Sequence, residues 1–525
     1  MVEIKIDGIT LKVPHETTVM QAARSAGFEI PSMCYKNGHQ NHPSCMICLV
    51  KDLKSGNLFP SCAMRVSGNM EISTVDEDVI NSRKDALELL MSDHVGDCEA
   101  PCRMACPAFM DIPLMNRLIA GGDFAKALEI VKQEIALPFI LGYICPAPCE
   151  KVCRRTQVDE AVSICQLKKF TAAKDAGNET SFFPTKNKKT GKRVAIIGTG
   201  PAGLSCAFYL LRQGHECVLF DKNEKAGGTL RYSALDKELP ESVLDHEIGL
   251  IQNYGAEFRL KYPITKEFFE QEIIPKFDAV VLATGLVNPE QAEIFGIRLS
   301  KLGIEVKSGT FETSRKGLFA CGSSVKSLKM AVTSVAQGKA TALSLDEFLK
   351  GTISKPEPFF NSKFGKLQPT EISEYLKESS AGIRIFPFAG ESKGFSSEEA
   401  ISEAKRCLHC DCRKPASCKL RQYSAEYEID RRKYSSGERK LLEKHFQHET
   451  VVYEPEKCIK CGLCVDITTG KKELTGLTFI GRGFNLKIDI PFNQTLNEAL
   501  TKTAAECVDA CPTGALSFKI GEEKG

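Results

Sequence analysis

The chain's chemistry lies mainly in its sulfur. Of 525 residues 23 are cysteine, and 20 of these fall into bunches: Cys34, Cys45, Cys48 and Cys62; seven from Cys98 to Cys165; four from Cys407 to Cys418; and five from Cys458 to Cys511. Thiolates at such short, repeated spacings bind metal, and in a reducing compartment that reading displaces disulfides. Residues 91–107, MSDHVGDCEAPCRMACP, hold Cys98, Cys102 and Cys106. Cys145, Cys149 and Cys153 follow in CPAPCEKVC, and then Cys165. Seven thiolates are one short of the eight that two four-iron clusters need. His94, four residues before Cys98, is the nearest candidate for the eighth ligand; the alternative is an exposed polar residue in a charged turn. Imidazole donates less strongly than thiolate, but iron–sulfur centres accept it and gain a higher potential.

The other bunches differ in geometry. Cys34, Cys45, Cys48 and Cys62 form C-x10-C-x2-C-x13-C, which can enclose a two-iron rhomb or, with the same four sulfurs, zinc. Cys407, Cys410, Cys412 and Cys418 form C-x2-C-x-C-x5-C. That motif is compact enough for a single four-iron cluster or a structural zinc, and spacing does not separate the two. Cys458, Cys461 and Cys464 wrap the corner of a cubane that the distant Cys511, followed by proline, closes. Cys507 is left over as structural. Cys206, Cys217 and Cys321 stand outside the bunches and read as small core hydrophobes.

Several elements must position these ligands. VEIKIDGITLKVP alternates with period 2 about an Asp-Gly turn, predicting a hairpin. The helical stretch TTVMQAARSAGFEI follows, with Thr17 and Thr18 as caps. Residues 115–139 carry helix-like pieces. GKRVAIIGTGPAGLSCAFYLLRQGHECVLFDK then reads as strand, glycine turn, helix and strand. Gly198 permits the tight turn, Gly200 lets backbone approach a pyrophosphate, and Gly203 lets helix pack on strand. Asp221 can accept from a ribose hydroxyl. FDAVVLATG ends a further strand at Gly285. KGLFACGSS leads through Gly322 and Ser323 into an Ala-rich helix.

Charge adds little: 69 basic against 67 acidic residues, net +2, gives no support to nucleic acid or a membrane surface as partner. No run of eighteen apolar residues and no secretory leader is legible, so a cytoplasmic location with no membrane span is expected. No Ser-His-Asp or Cys-His nucleophile arrangement is present.

These motifs carry resemblances. The N-terminal spacing, the H-x3-C opening at His94 and the distant CPTGAL cysteine resemble the large iron–sulfur subunit of respiratory NADH dehydrogenase and its hydrogenase relatives. The middle cysteines, the glycine fingerprint, AGGTLRY at 226–232 (Gly227, Gly228, Thr229) and the 277–285 and 316–345 segments resemble the glutamate synthase small subunit. Dihydropyrimidine dehydrogenase and electron-bifurcating transhydrogenases share the paired-cluster domain. The first family implies a two-iron cluster at the N-terminus, the second an FAD site. By the interleaving of the second family, one four-iron cluster takes His94, Cys98, Cys102 and Cys153. The other takes Cys106, Cys145, Cys149 and Cys165, with Cys165 in place of a non-cysteine ligand. That family also carries an NAD(P)H module between the ATG segment and the final strand. Only thirty-one residues separate Gly285 from Gly317 here, with no second fingerprint. The closing Ala-Gly-Asp is Cys321-Gly322-Ser323, so FAD binding without its own nicotinamide module, or an empty relic of the fold, are the two readings.

The expected architecture is multidomain α/β and α+β. It comprises a β-grasp two-iron ferredoxin domain (1–80), a helical domain with two four-iron clusters (81–188) and a Rossmann-like FAD domain (189–350). A connector (351–400), a four-cysteine cluster or zinc segment (401–450) and a C-terminal ferredoxin-like domain (451–525) follow. The resemblance implies an electron-transfer subunit of a cytoplasmic multisubunit NAD(P)-linked oxidoreductase of the kind that includes electron-bifurcating enzymes. Its partners would be an FMN-containing NAD(H)-binding subunit, a small two-iron subunit and soluble ferredoxin, or a hydrogenase or formate dehydrogenase module. The alternatives are a complete FAD and iron–sulfur oxidoreductase acting on a small substrate, and a structural scaffold with an empty flavin fold.

Overall fold

A computed structural model describes all residues except 40, 234–237, 353–357, 364, 436, 438 and 522–525, so part of the expected connector lies outside the described residues. The chain divides into two compact units. Unit 1 comprises 1–100, 357–379 and 409–525; unit 2 comprises 101–356 and 380–408.

Unit 1 begins with the expected hairpin, β1 (Val2–Ile6) against β2 (Ile9–Val13), antiparallel with Val2 opposite Val13. Asp7 at φ 44° and Gly8 at φ 87° make the left-handed pair that a two-residue hairpin turn requires. β3 (Leu49–Asp52), β4 (Leu58–Pro60) and β5 (Glu71–Ser73) complete a mixed sheet in the order β2-β1-β5-β3-β4. β1 and β5 run parallel. The helix Val19–Ser25 crosses it, and Thr18, not Thr17, is its cap: the Thr18 hydroxyl accepts from the Gln21 N–H while the Gln21 side chain answers the Thr18 N–H. Ile4, Ile6, Val19, Met20, Cys48, Val50 and Cys62 fill the core between helix and sheet.

Residues 451–525 do not form a compact unit of their own; they belong to unit 1 with the N-terminal sheet. They keep a local core of Val451, Tyr453, Ile467, Ile488, Leu496, Cys507 and Leu516. The helices Leu463–Gly470 and Ala504–Ala510 and an antiparallel pair, Val451–Tyr453 with Leu516–Phe518, surround it.

Unit 2 joins helices to a parallel sheet through one core. β6 (Arg193–Ile197), β7 (Glu216–Phe220), β8 (Glu257–Arg259), β9 (Ala279–Leu282) and β10 (Leu318–Ala320) lie in the order β10-β9-β6-β7-β8. Every pairing is parallel. β6, β7, β9 and β10 are apolar on both faces, as a doubly covered sheet demands, whereas the edge strand β8 is Glu-Phe-Arg. Val194, Ile196, Cys217, Leu219 and Val281 pack into the core that also holds Leu114, Ile130, Leu141 and Phe170 of the helices before the sheet. Ala195, Ile197, Val218, Phe220 and Val280 face the other side. No compact-unit boundary therefore falls near 188. Cys206, Cys217 and Cys321 are core residues, each no more than 2 % exposed.

Between β9 and β10 the chain makes one helix, Pro289–Phe295, and isolated bridges such as Val306 with Thr313. This excursion is too small for a nucleotide-binding module. Among the described residues no helix is long and apolar enough to cross a membrane.

Candidate metal centres and dinucleotide site

The N-terminal four cysteines converge. Cys34, Cys45, Cys48 and Cys62 are each at most 2 % exposed, and the Cys34 and Cys45 sulfurs are 3.4 Å apart. Hydrogen bonding from Cys45 and Cys62 holds the Cys34 thiol well below its usual range, and Cys62 pulls Cys48 down to about 7. The same hydrogen bonds raise Cys45 and Cys62, so two thiols donate to two thiolates, and a bound cation would take the place of the shared protons.

Cys106, Cys145, Cys149 and Cys165 also come together, as the family interleaving implies, lining one small cavity with Lys168. Lys168 carried no signal in the sequence, although it follows Cys165 by three residues on the helix Ile164–Ala176 and so shares its face. Burial opposes its charge, but Cys165, Cys145, Cys149 and Cys106 outweigh that and raise its pKa. An ammonium there offsets the negative charge of a thiolate-ligated centre.

Cys458, Cys461, Cys464 and Cys511 line another small cavity, with Tyr453 and Pro512. The Lys460 N–H reaches the Cys458 sulfur at 3.3 Å. Cys507 stays out of this group, fully buried beside the Cys464 carbonyl.

The set expected as His94, Cys98, Cys102 and Cys153 divides between the units after residue 100. In unit 2, Cys102 and Cys153 pack with Cys407 on the same core. In unit 1, Cys98 sits by Cys412, whose N–H donates to the Cys98 carbonyl at 3.3 Å. The His94 ring is partly buried rather than exposed, and its buried Nδ1 has no hydrogen-bond partner. Burial, and next the Lys457 ammonium, lower its pKa to about 4, leaving at neutral pH the uncharged imidazole that a metal needs. Cys407, Cys412 and Cys418 are buried, and Cys410 is half-buried.

The dinucleotide site is a cavity of about 710 Å³ at the carboxyl ends of β6 and β9, where the strand order reverses. The three glycines divide the work as expected. A Cβ on Gly198 would lie 2.3 Å from the Ala283 carbonyl oxygen, and one on Gly203 would lie 2.1 Å from that of Gly198. A Cβ on Gly200 would meet nothing within 4 Å, so there the backbone lies open to a phosphate. Gly228, Thr229, Thr284, Gly285 and Ser323 line the same cavity; Gly227 does not, but its N–H bonds the Thr199 carbonyl behind the turn. The Gly322 N–H is taken by the Gln337 side chain at 2.9 Å.

Asp221 lines the same cavity and is also engaged within the chain. One carboxylate oxygen accepts from the Thr199 N–H (2.9 Å) and hydroxyl (2.6 Å), the other from the Asn223 N–H and side-chain amide, both 2.9 Å. It braces the glycine turn, and a ribose hydroxyl would have to share an oxygen that already accepts two hydrogen bonds.

Family models match three stretches: a 2Fe-2S iron–sulfur cluster binding domain over residues 1–77, dihydropyrimidine dehydrogenase domain II, 4Fe-4S cluster, over 86–180, and an NAD(P)-binding Rossmann-like domain over 196–261. The NADPH-Fe(3+) oxidoreductase subunit beta of Geobacter sulfurreducens is 36% identical over 192 residues, 35% of this chain and 28% of that protein. The NADP(+)-dependent formate dehydrogenase subunit beta of Moorella thermoacetica is 35% identical over 212 residues, 36% of this chain and 29% of that protein. The glutamate synthase [NADPH] small chain of Bacillus subtilis is 35% identical over 182 residues, 34% of this chain and 36% of that protein. The match thus spans about a third of each of these relatives. The chain is a multidomain iron–sulfur protein with a Rossmann-like dinucleotide fold, related to glutamate synthase small chains and to beta subunits of NAD(P)-linked oxidoreductases.

Proposed function

We propose that this chain is an electron-transfer subunit of a multisubunit NAD(P)-linked oxidoreductase. It would carry electrons between an FMN-bearing, NAD(H)-handling partner and a ferredoxin, hydrogenase, formate dehydrogenase or similar module. The observation that carries the reading is in unit 1, where Cys34, Cys45, Cys418 and Cys461, from three cysteine groups, share one apolar core. Ligand groups packed that closely serve one-electron transfer from site to site, and a hydrolase or a binding module has no use for them.

When bound, the clusters would supply one-electron steps and FAD would exchange one or two electrons. Cys34, Cys45, Cys48 and Cys62 would hold the two-iron centre. Cys106, Cys145, Cys149 and Cys165 would hold one four-iron centre, and Cys458, Cys461, Cys464 and Cys511 another. FAD would lie over Gly200, with Gly285 and Ser323 on the cavity wall. The open backbone at Gly200 suits the pyrophosphate of either dinucleotide, and the missing nicotinamide module favours FAD. The names of the relatives, subunits of NADPH- and NADP-linked oxidoreductases, support partner subunits of the same chemistry.

Hydride transfer needs the nicotinamide held near van der Waals distance of the flavin, and the short excursion between β9 and β10 offers no domain to hold it. The anoxically purified chain should therefore bind FAD yet be reduced slowly, if at all, by NADH or NADPH in stopped flow. Adding an FMN-bearing partner should make reduction fast. Fast, saturable bleaching of the lone chain by either nucleotide would favour a complete flavin oxidoreductase instead.

A further inference from the structure

We propose that His94, Cys98, Cys412 and Cys418 together hold one four-iron cluster, so that the compact cysteine motif at 407–418 is shared between two centres. All four residues belong to unit 1, whereas Cys407 belongs to unit 2 and packs there on the core with Cys102 and Cys153.

The chain segments meet backbone to backbone. Besides the Cys412 N–H to Cys98 carbonyl bond, the Cys98 N–H donates to the Ser362 carbonyl at 3.1 Å. The Ser362 N–H in turn points at the Cys98 sulfur at 3.4 Å. An N–H aimed at a sulfur stabilises it as a thiolate ligand. Gly514, in the CPTGAL turn, has its missing Cβ position 2.3 Å from the Cys412 sulfur, so only glycine leaves room for that sulfur. Cys418 is 6 % exposed, and the charges it feels most are those of Cys412 and Cys98.

His94 closes the set. Its Nδ1 is buried and unpartnered, and two cations tie it to the same place. Lys457 acts electrostatically on both His94 and Cys412, and its side chain lies against Gly96, where a Cβ would be 2.7 Å away. Arg431 acts on both His94 and Cys98, and its guanidinium donates to the Ser362 hydroxyl at 3.2 Å. An imidazole buried without a partner forfeits about 1–3 kcal/mol, and coordination to iron would supply the missing interaction. Three thiolates and one imidazole form a complete ligand set for a cubane.

The inference rests on the reading of the cysteine groups as cluster ligands, and one set of variants separates the two. His94→Cys, Cys412→Ser, Cys418→Ser, Cys407→Ser and Cys102→Ser chains are purified anoxically and compared by iron content and by EPR during reductive titration. Cys412→Ser and Cys418→Ser should remove or alter the same signal, with loss of up to about four irons, and leave the signal changed by Cys407→Ser and Cys102→Ser untouched. His94→Cys should keep the iron and lower the midpoint potential of the centre that Cys412→Ser removes. This partition is overturned if Cys407→Ser and Cys412→Ser abolish one and the same signal, or if His94→Cys leaves every signal and potential as it was. Zinc in place of iron in this set would overturn the cluster reading itself.

Discussion

The His39 imidazole lies 2.9 Å from the Asp466 carboxylate, tying the loop between Cys34 and Cys45 to the helix that carries Cys464. Both side chains are partly exposed, at 18 % and 25 %, so the pair contributes about 0.2–1 kcal/mol at most. The two ligand groups are held together instead by the apolar core shared by Cys34, Cys45, Cys461 and Leu463. Asp466→Ala should therefore cost less than about 1 kcal/mol and leave both centres loaded. Leu463→Ala, which opens a hole in that core, should cost about 2–5 kcal/mol and slow electron exchange between the two centres. Anoxic urea unfolding with EPR of both centres checks this. An Asp466→Ala loss as large as that of Leu463→Ala would mean that the polar contact, not the core, sets the spacing.

Gly200 and Gly203 are expected to fail differently. Gly200 has φ −75° and open space where a Cβ would go, so Gly200→Val should fold normally. Its side chain would stand where the pyrophosphate approaches and should weaken FAD binding by tenfold or more, about 1.4 kcal/mol. Gly203→Val instead drives a side chain into the Gly198 carbonyl and should destabilise unit 2 by about 3 kcal/mol. Flavin titration beside thermal unfolding distinguishes them. Unimpaired FAD binding by Gly200→Val would move the cofactor elsewhere.

Much of this was legible because it is local. RVAII and ECVLF became strands with the expected ends, since a short apolar run closed by Gly198 or by Asp221 leaves few alternatives. Cys458, Cys461 and Cys464 gather as their spacing implies, because a tight loop wraps its own ligands. What spacing cannot carry is the meeting of distant segments. The contact of Cys98 with Cys412 depends on Ser362, which falls in no metal motif, and on Gly514, which belongs to the motif of a different centre. Asp221 has a second role that spacing also hides. Its place at the end of β7 fits a ribose ligand, but an Asp is short enough to turn back on Thr199, one residue after Gly198. Lys168 was hidden among ordinary helix lysines until four sulfurs surrounded it.

Glu247 should give a measurable pH signature. Its two carboxylate oxygens accept the N–H groups of Phe139 and Ile140, both at 2.8 Å, capping the helix Pro138–Ile144. Burial nevertheless raises its pKa to about 7, from 4.5. Because the folded pKa is the higher, the fold holds this proton more tightly than the unfolded chain. Its favourable contribution is complete below pH 4.5 and is lost as pH rises toward about 7, by up to about 3 kcal/mol. Above that the profile is flat. Infrared difference spectra between the wild-type chain and Glu247→Gln should show a protonated carboxyl band at pH 5.5 that fades through about pH 7. A band already absent at pH 5.5 would mean that the helix N–H groups outweigh burial.

Iron content tests the ligand sets as a whole. Twenty candidate ligands, nineteen cysteines with His94, fill one two-iron and four four-iron centres, about eighteen irons per chain. Zinc at Cys407, Cys410, Cys412 and Cys418 would lower this to about fourteen. The proposed sharing of those four cysteines between two centres leaves no single four-sulfur site for one zinc ion. Iron and acid-labile sulfide should therefore be measured together on anoxic protein, with zinc by mass spectrometry on the same sample. The expected result is about eighteen irons, a matching amount of sulfide and zinc well below one per chain. Fewer than about ten irons after anoxic reconstitution would leave too few centres for a wire. The chain would then be a scaffold around its dinucleotide fold, and the proposed path for electrons through unit 1 would fall with it.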